Sequence, residues 1–464
     1  MKTFNVKLLF IFILGFLFIS SCKKEPIIDK NTTLTMDSVE NYDYQIIHEW
    51  NNLFLELERY SQNYRPCPSA HFLGYYGIAN YEACVSGMSD FNSMSDKFKE
   101  LSLPDVTTKD YHWPSVINRI SFELFNRFFD GLDNELFTKI DDLYLKNEAI
   151  YKAQIKDVLY RDSKDYGTEV ALSVWNWMET DEVLYQSEKD PFRENNWMSR
   201  NKLFDWQPTN PNIQNGLYPY FGKGRTMVVG PSNILCGSYK DYVGDLSENN
   251  SSAFYVQVRE VLSQRTPSIS FNDRWKTEFW YDDMIGLTFS TVGRWLSIGN
   301  QIMEKEKVTL DIALWTNAAL GIALHDAAIG IWSSKYHYNL ERPISIINRN
   351  LDPNWKPTSH NTNIDLATPS YPSYPSAQAG FAGAASEVLS HIYGFDYGMT
   401  DRSHEDRPEF FGMPMHFTSL SEMAQASAWS RVTLGVNYRM DTDEGLRYGT
   451  RLGREVATLA WRRN

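Results

Sequence analysis

Apolar residues recur at the helical period along almost the whole chain, while strict alternation is rare, and that pattern restricts the chain to an all-α fold. From Asp43 the segment "YDYQIIHEWNNLFLELERY" places Ile46, Ile47, Trp50, Phe54, Leu55 and Leu57 close to a 3.6-residue repeat. The stretches "SAHFLGYYGIANYEACVSG", "WPSVINRISFELFNRFFDGL", "YGTEVALSVWNWMET" and "VGRWLSIGNQIMEKE" repeat the pattern, and the long apolar "LDIALWTNAALGIALHDAAIGIWSSKY" is helical as well. "SLSEMAQASAWSRVTLG" opens with a capping box, Ser419 to Glu422. With 42% hydrophobic and 14% aromatic residues the chain can bury a large core, so residues 43–464 are expected to form one helical domain. Two regions rich in Pro, Asn, Gly and Ser interrupt the helices, at 204–233 and 351–376. Loops longer than about 15 residues in a compact domain are usually functional.

The N-terminus reads as a targeting segment. Lys2 and Lys7 precede a short apolar run, Leu8 to Ile19, and "SSC" follows. The run is shorter than the roughly 20 residues a bilayer span needs, which favours a signal peptide over residues 1–21. Small residues directly before Cys22 resemble a bacterial lipobox. The expectation is lipid attachment at Cys22, a flexible tether over 22–42, and export to the bacterial cell envelope; an ordinary signal peptide cleaved nearby is the alternative. No later run is expected to cross a membrane. Cys67, Cys84 and Cys236 cannot all pair with one another and have no C-x-x-C spacing, so they read as small buried apolar residues.

A net charge of −13 argues against nucleic acid or anionic lipid as the main partner. A small anion would need positive charge concentrated locally, and three motifs offer it. In "KYHYNLERP", Lys335 and Arg342 are seven residues apart, which on a continuous helix returns them to nearly one face; the alternative is a solvated basic pair at a helix end. In "PSYPSAQAGFAGAASEVLSHIYG", Pro375 suits the first helical position, leaving Ser376, Ala377 and Gln378 in a first turn whose N–H groups favour an anion. In "SRVTLGVNYRMD", Arg431 and Asn437 would diverge on a straight helix, but Gly435 can break it and let both turn toward one site.

In this order, the motifs resemble the signature of the superfamily that joins vanadium-dependent haloperoxidases and type 2 phosphatidic acid phosphatases: K-x-x-x-x-x-x-R-P, P-S-G-H and S-R-x-x-x-G-x-H. "TEFWYDDMIGLTFSTVGRW", "ALHDAAIGIWSSKYHYNLERPI" and "SAHFLGYYGIANYEAC" are similar to the bacterial haloperoxidase branch. The resemblance implies a helical bundle cradling phosphate or vanadate, with Lys335, Arg342 and Arg431 as cationic ligands, Ser376 as hydroxyl donor and Ala377 as backbone donor. Two positions depart from it. The family's acid/base histidine is Gln378 here, and its vanadium-ligand or nucleophilic histidine is Asn437. An amide neither titrates near neutral pH nor offers an imidazole lone pair. The expected function is therefore an oxyanion pocket without standard turnover and without a histidine bound to metal, its ligand a small oxyanion or a phosphorylated small molecule.

Two other readings stay open at this point. One is an active haloperoxidase or phosphatase with a rearranged site, in which His325, His337, His360, His404 or His416 stands in. The other is a different enzyme holding a phosphorylated or sulfated substrate, with Asp282, Asp283 or Asp441 as acid/base. Asp282 and Asp283 otherwise read as a solvated helix end. "PSAH" at Pro68 to His71 imitates the lost motif in a different helical segment and reads as coincidence.

Overall fold

The computed structural model describes residues 38–61, 65–106, 110–194, 202–209, 213, 215–264, 270–357, 368–405, 407 and 412–463. The signal segment, Cys22 and most of the expected tether lie outside the described residues. Val39 is fully buried and forms part of a 3-10 turn, Val39–Asn41, so packing begins slightly ahead of Asp43.

Six helices form the N-terminal part: α1 (Gln45–Glu58), α2 (Cys67–Cys84), α3 (Trp113–Phe128), α4 (Asn134–Gln154), α5 (Asp157–Glu179) and α6 (Glu182–Lys189). Three shorter ones follow, α7 (Lys240–Val243), α8 (Ala253–Ser263) and α9 (Phe271–Phe279). The C-terminal part comprises α10 (Thr291–Glu306), α11 (Leu310–Tyr338), α12 (Pro343–Asn350), α13 (Ala377–Tyr393), α14 (Leu420–Thr433) and α15 (Arg439–Ala457). The described strands are β1 (Met399–Asp401) and β2 (Met415–Phe417), which pair antiparallel with Thr400 opposite His416. The all-α expectation holds.

Helix α11 is the axis. At 29 residues its length and composition would let it cross a bilayer, contrary to the reading that no later run could, but 89% of its most apolar window is buried inside the protein. A helix apolar all round must be enclosed on all sides. Here α2 packs on one side and α13 and α15 on the other, while α14 closes over α13 and α15. Helices α3, α4 and α5 form an outer layer beyond α2.

Glycines set the spacing of α13 and α15. A Cβ on Gly449 would stand 2.0 Å from the Gly380 carbonyl oxygen, and one on Gly445 would stand 2.6 Å from the Ser376 carbonyl oxygen. Only backbone fits between the two helices, so the start of α13 lies directly against the start of α15.

The first long loop is tied to α11 by one buried carboxylate. Asp326 accepts the backbone N–H groups of Met227, Val228 and Val229 at 2.7, 2.8 and 2.9 Å. Burial pushes its carboxyl up to about 6 despite those donors. Asp326→Ala is expected to strand three N–H groups and lower stability by about 3 kcal/mol or more; an unchanged urea midpoint would contradict this anchoring.

Candidate oxyanion site

Lys335 and Arg342 do not share a helix. Asn339 ends α11 in the left-handed conformation (φ 51°, ψ 39°), and Arg342 is the N-cap of α12. The turn, not the helical repeat, brings the two side chains together. Neither is solvated: Lys335 is 0% and Arg342 1% exposed. The Lys335 ammonium donates to the carbonyls of Pro372, Ser373 and Pro375 at 2.9, 3.1 and 2.5 Å. Arg342 donates through Nε to Tyr371 (3.0 Å), through Nη1 to Val436 (2.7 Å) and through Nη2 to Pro372 (3.4 Å). Both cations also lie over the Tyr371 ring, 4.9 and 5.0 Å from its centre. The Pro-rich loop therefore wraps its carbonyls around two buried charges.

Ser376 is the N-cap of α13, not part of its first turn, because the helix begins at Ala377. Its hydroxyl accepts the Ala379 N–H at 3.4 Å. The expected break between Arg431 and Asn437 is present. Helix α14 stops at Thr433, Gly435 takes φ 83°, and the N–H groups of Val436 and Asn437 both return to the Arg431 carbonyl, at 3.1 and 3.2 Å. Positive φ at this position favours glycine.

The result is one cavity. Lys335, Arg342, Ala377, Gln378, Arg431 and Asn437 all line it, with Asp283 among the remaining residues. Of the residues read as ligands or reacting groups in the three motifs, Ser376 alone does not line the cavity, although it caps the helix whose start does. The cavity's empty volume is about 320 Å³, but a water centre has only about 10 Å³ of room within it, about the space one water needs.

The cations are uneasy there. Burial depresses the Lys335 ammonium well below its usual range, Arg342 and Arg431 add to the effect, and Asp441 opposes it. Burial brings Arg342 down to about 10, with Arg431 contributing and Asp441 opposing. The Arg431 guanidinium makes no hydrogen bond or ion pair with the described residues, and Arg431 lines both this cavity and a larger chamber beside it.

Both amides face the protein with their NH2 ends. Gln378 Nε2 donates to the Trp280 carbonyl at 3.0 Å and to Ser427 Oγ at 3.1 Å. Asn437 Nδ2 donates to the Ser373 carbonyl and to Asp441 Oδ2, each at 3.0 Å. Carbonyl partners settle each orientation, since a flipped amide would set oxygen against oxygen. Each side chain thus leaves an acceptor oxygen over, and no described donor reaches either one.

Asp441 organises this side of the site. It is fully buried in the capping box at the start of α15, where it also accepts the Ser373 hydroxyl (2.5 Å) and the Tyr438 N–H (3.0 Å). Burial raises its carboxyl even so.

Of the pair that read as a solvated helix end, Asp282 is not solvated. Asp282 is 3% exposed beside the fully buried Arg294, and burial pushes its carboxyl up to about 7. Asp283 is solvent-accessible, yet it lines both the cavity and the chamber; the protein crowded around its carboxyl raises it, with Arg65 and Arg431 opposing.

The chamber, about 1340 Å³ with open solvent included, is lined by Leu217, Tyr218, Tyr281, Ile285, Tyr371 and Val436 among others. Sequence reasoning missed Arg65, Pro66 and Tyr371. Pro66 lines both spaces and directly precedes α2, so the "PSAH" segment starts beside the site and not far from it. His71 itself pairs instead with Glu188, Nδ1 to Oε1 at 2.6 Å.

No described histidine lines the cavity or the chamber. His325 bonds the Arg225 carbonyl, His337 is exposed, His404 is buried on Arg294, and His416 lies on β2. His360 falls outside the described residues. Among the described residues no group of His, Cys, Asp and Glu is arranged to hold a metal ion.

Residues 316–463 match a family model for the VCPO second helical-bundle domain. The fold is similar to the crystal structure of the first bacterial vanadium-dependent iodoperoxidase: TM-score 0.76 at 24% identity, over 91% of this chain and 98% of that one. It is also similar to a holo-type bacterial vanadium-dependent chloroperoxidase, with TM-score 0.64 at 13% identity over 92% and 98%. An apo-type structure of such a chloroperoxidase gives TM-score 0.57 at 12% identity over 91% and 98%. No curated protein matches the sequence.

Proposed function

We propose that this chain, which belongs to the vanadium haloperoxidase superfamily by its fold and its second helical-bundle domain, holds a tetrahedral oxyanion without the turnover that histidines give. One observation carries the reading: three cations and two amides, all singled out by sequence position, line a single cavity. Like charges buried together favour an anion between them, and charge-assisted hydrogen bonds exceed those to neutral carbonyls. An incoming oxyanion draws Lys335 and Arg342 donors off their carbonyl partners and engages Arg431, which has none.

Vanadate suits the cations of this cavity as an oxyanion, once Lys335 and Arg342 turn from their carbonyl partners, but not as a bound metal. The only nitrogen at position 437 is an amide already donating to Ser373 and Asp441, and it has no free lone pair to offer vanadium. Gln378 likewise cannot carry a proton to or from a ligand. Phosphate, or a phosphorylated small molecule whose organic part occupies the aromatic chamber, suits the same residues without demanding either imidazole.

The test is ligand-dependent stability. Phosphate at 100 times its Kd adds about 2.7 kcal/mol, which for a domain of this size raises Tm by ~3 °C. Calorimetric titration with phosphate and vanadate measures the affinity directly. Oxidation of iodide by peroxide and hydrolysis of phosphomonoesters should both remain at background. Absence of oxyanion binding sinks the pocket; vanadate-dependent turnover in the unaltered protein sinks the claim of lost catalysis.

A further inference from the structure

The cavity is not lined by donors alone. Asp283 contributes a carboxylate that accepts no hydrogen bond and has no cation within ion-pair distance among the described residues. Its backbone is in the left-handed region (φ 70°), and its N–H is fixed on the Phe289 carbonyl at 3.1 Å. Gln378 and Asn437 spend their NH2 groups on Trp280, Ser427, Ser373 and Asp441, leaving acceptor oxygens. Cations and acceptors therefore share one small space. A cation satisfies any oxyanion, but an acceptor is satisfied only by a ligand oxygen that carries hydrogen.

We propose that the cavity selects oxyanions that keep a proton near neutral pH, such as phosphate and arsenate, over fully ionised ones such as sulfate and molybdate, with Asp283 as the residue that discriminates. This rests on the oxyanion reading above and narrows it. Sulfated substrates left open by the sequence are disfavoured, and so are phosphomonoesters once their second proton is lost, with a pKa of about 6, which leaves free phosphate as the preferred ligand. Charge does not explain the choice: at pH 8 phosphate is mainly the hydrogen-bearing dianion and sulfate is the bare dianion. The bare ion sets oxygen against the Asp283 carboxylate with no hydrogen between them, and two acceptor-only groups facing each other repel. Sites built to pair with a ligand hydroxyl reject analogues lacking it far more strongly than apolar pockets reject misfits.

The experiment is calorimetric titration of the whole protein at pH 8 and constant ionic strength, with inorganic phosphate and sulfate, then with arsenate and molybdate as a second pair. The expected result is at least thirtyfold preference for phosphate over sulfate, and the same order for arsenate over molybdate. Asp283→Asn supplies an amide donor in place of the carboxylate, and the phosphate-to-sulfate ratio should fall at least tenfold, mainly because sulfate gains. The ratio is the readout because removing a negative charge strengthens both anions. Sulfate binding within threefold of phosphate in the unaltered protein overturns the proposal, and so does an unchanged ratio in a folded Asp283→Asn protein. If that variant does not fold, the two ratios of the unaltered protein decide. Failure of all four anions to bind is a different result, which removes the pocket itself.

Discussion

Asn437→His combined with Gln378→His is expected to bring peroxide-dependent iodide oxidation, in the presence of vanadate, at least a hundredfold above the unaltered protein. The geometry at position 437 favours it. Asparagine Nδ2 and histidine Nδ1 are both bonded to Cγ, so an imidazole can donate to the Ser373 carbonyl from nearly the point where the amide does now, at 3.0 Å. That bond fixes the tautomer and leaves Nε2 with its lone pair toward the cavity. Vanadate bound there supplies activation of peroxide, and the imidazole at position 378 supplies the proton transfer that an amide cannot, typically worth 10²–10⁴-fold. Asn437→His alone should tighten vanadate binding with little turnover. A double variant that binds vanadate tightly yet oxidises nothing would mean that more than two imidazoles separate this site from catalysis.

The second large effect separates two arginines of the same cavity. The Arg431 guanidinium makes no hydrogen bond or ion pair with a described residue, so Arg431→Ala should weaken phosphate binding at least thirtyfold and leave the ligand-free Tm nearly unchanged. Arg342 is woven into the backbone through Tyr371, Pro372 and Val436. Arg342→Ala removes all three bonds from buried carbonyls and should cost about 3–5 kcal/mol of stability before any ligand is added. Urea denaturation without phosphate, followed by titration with it, distinguishes them. Equal losses of stability would show that Arg431 is structural too.

What the sequence disclosed was the charge inventory and the order of helices. The period of the apolar residues identifies a helix without tertiary information, and Gly435 marks a break that convergence requires. Less legible was how the charges are satisfied. Lys335 and Arg342 read as one helical face because the left-handed cap at Asn339 leaves no unambiguous signature; Asn tolerates that conformation but does not demand it. Asp282 read as solvated because acidity next to aromatics does not reveal burial. Arg65 and Pro66 carry no motif at all. They reach the site only because α2 packs against α11, which local sequence does not encode.

The close contact of α13 and α15 bears on how the reactivity of such a site could change while its shape is kept. The gap between these helices is gauged by main chain against main chain, at Gly380 with Gly449 and at Ser376 with Gly445, and not by the side chains that face the ligand. Shape and reactivity are thus inherited through different residues. Exchanging imidazoles for amides alters what the cavity does to its guest while the frame around it stays the same size, so function can drift on a template that does not.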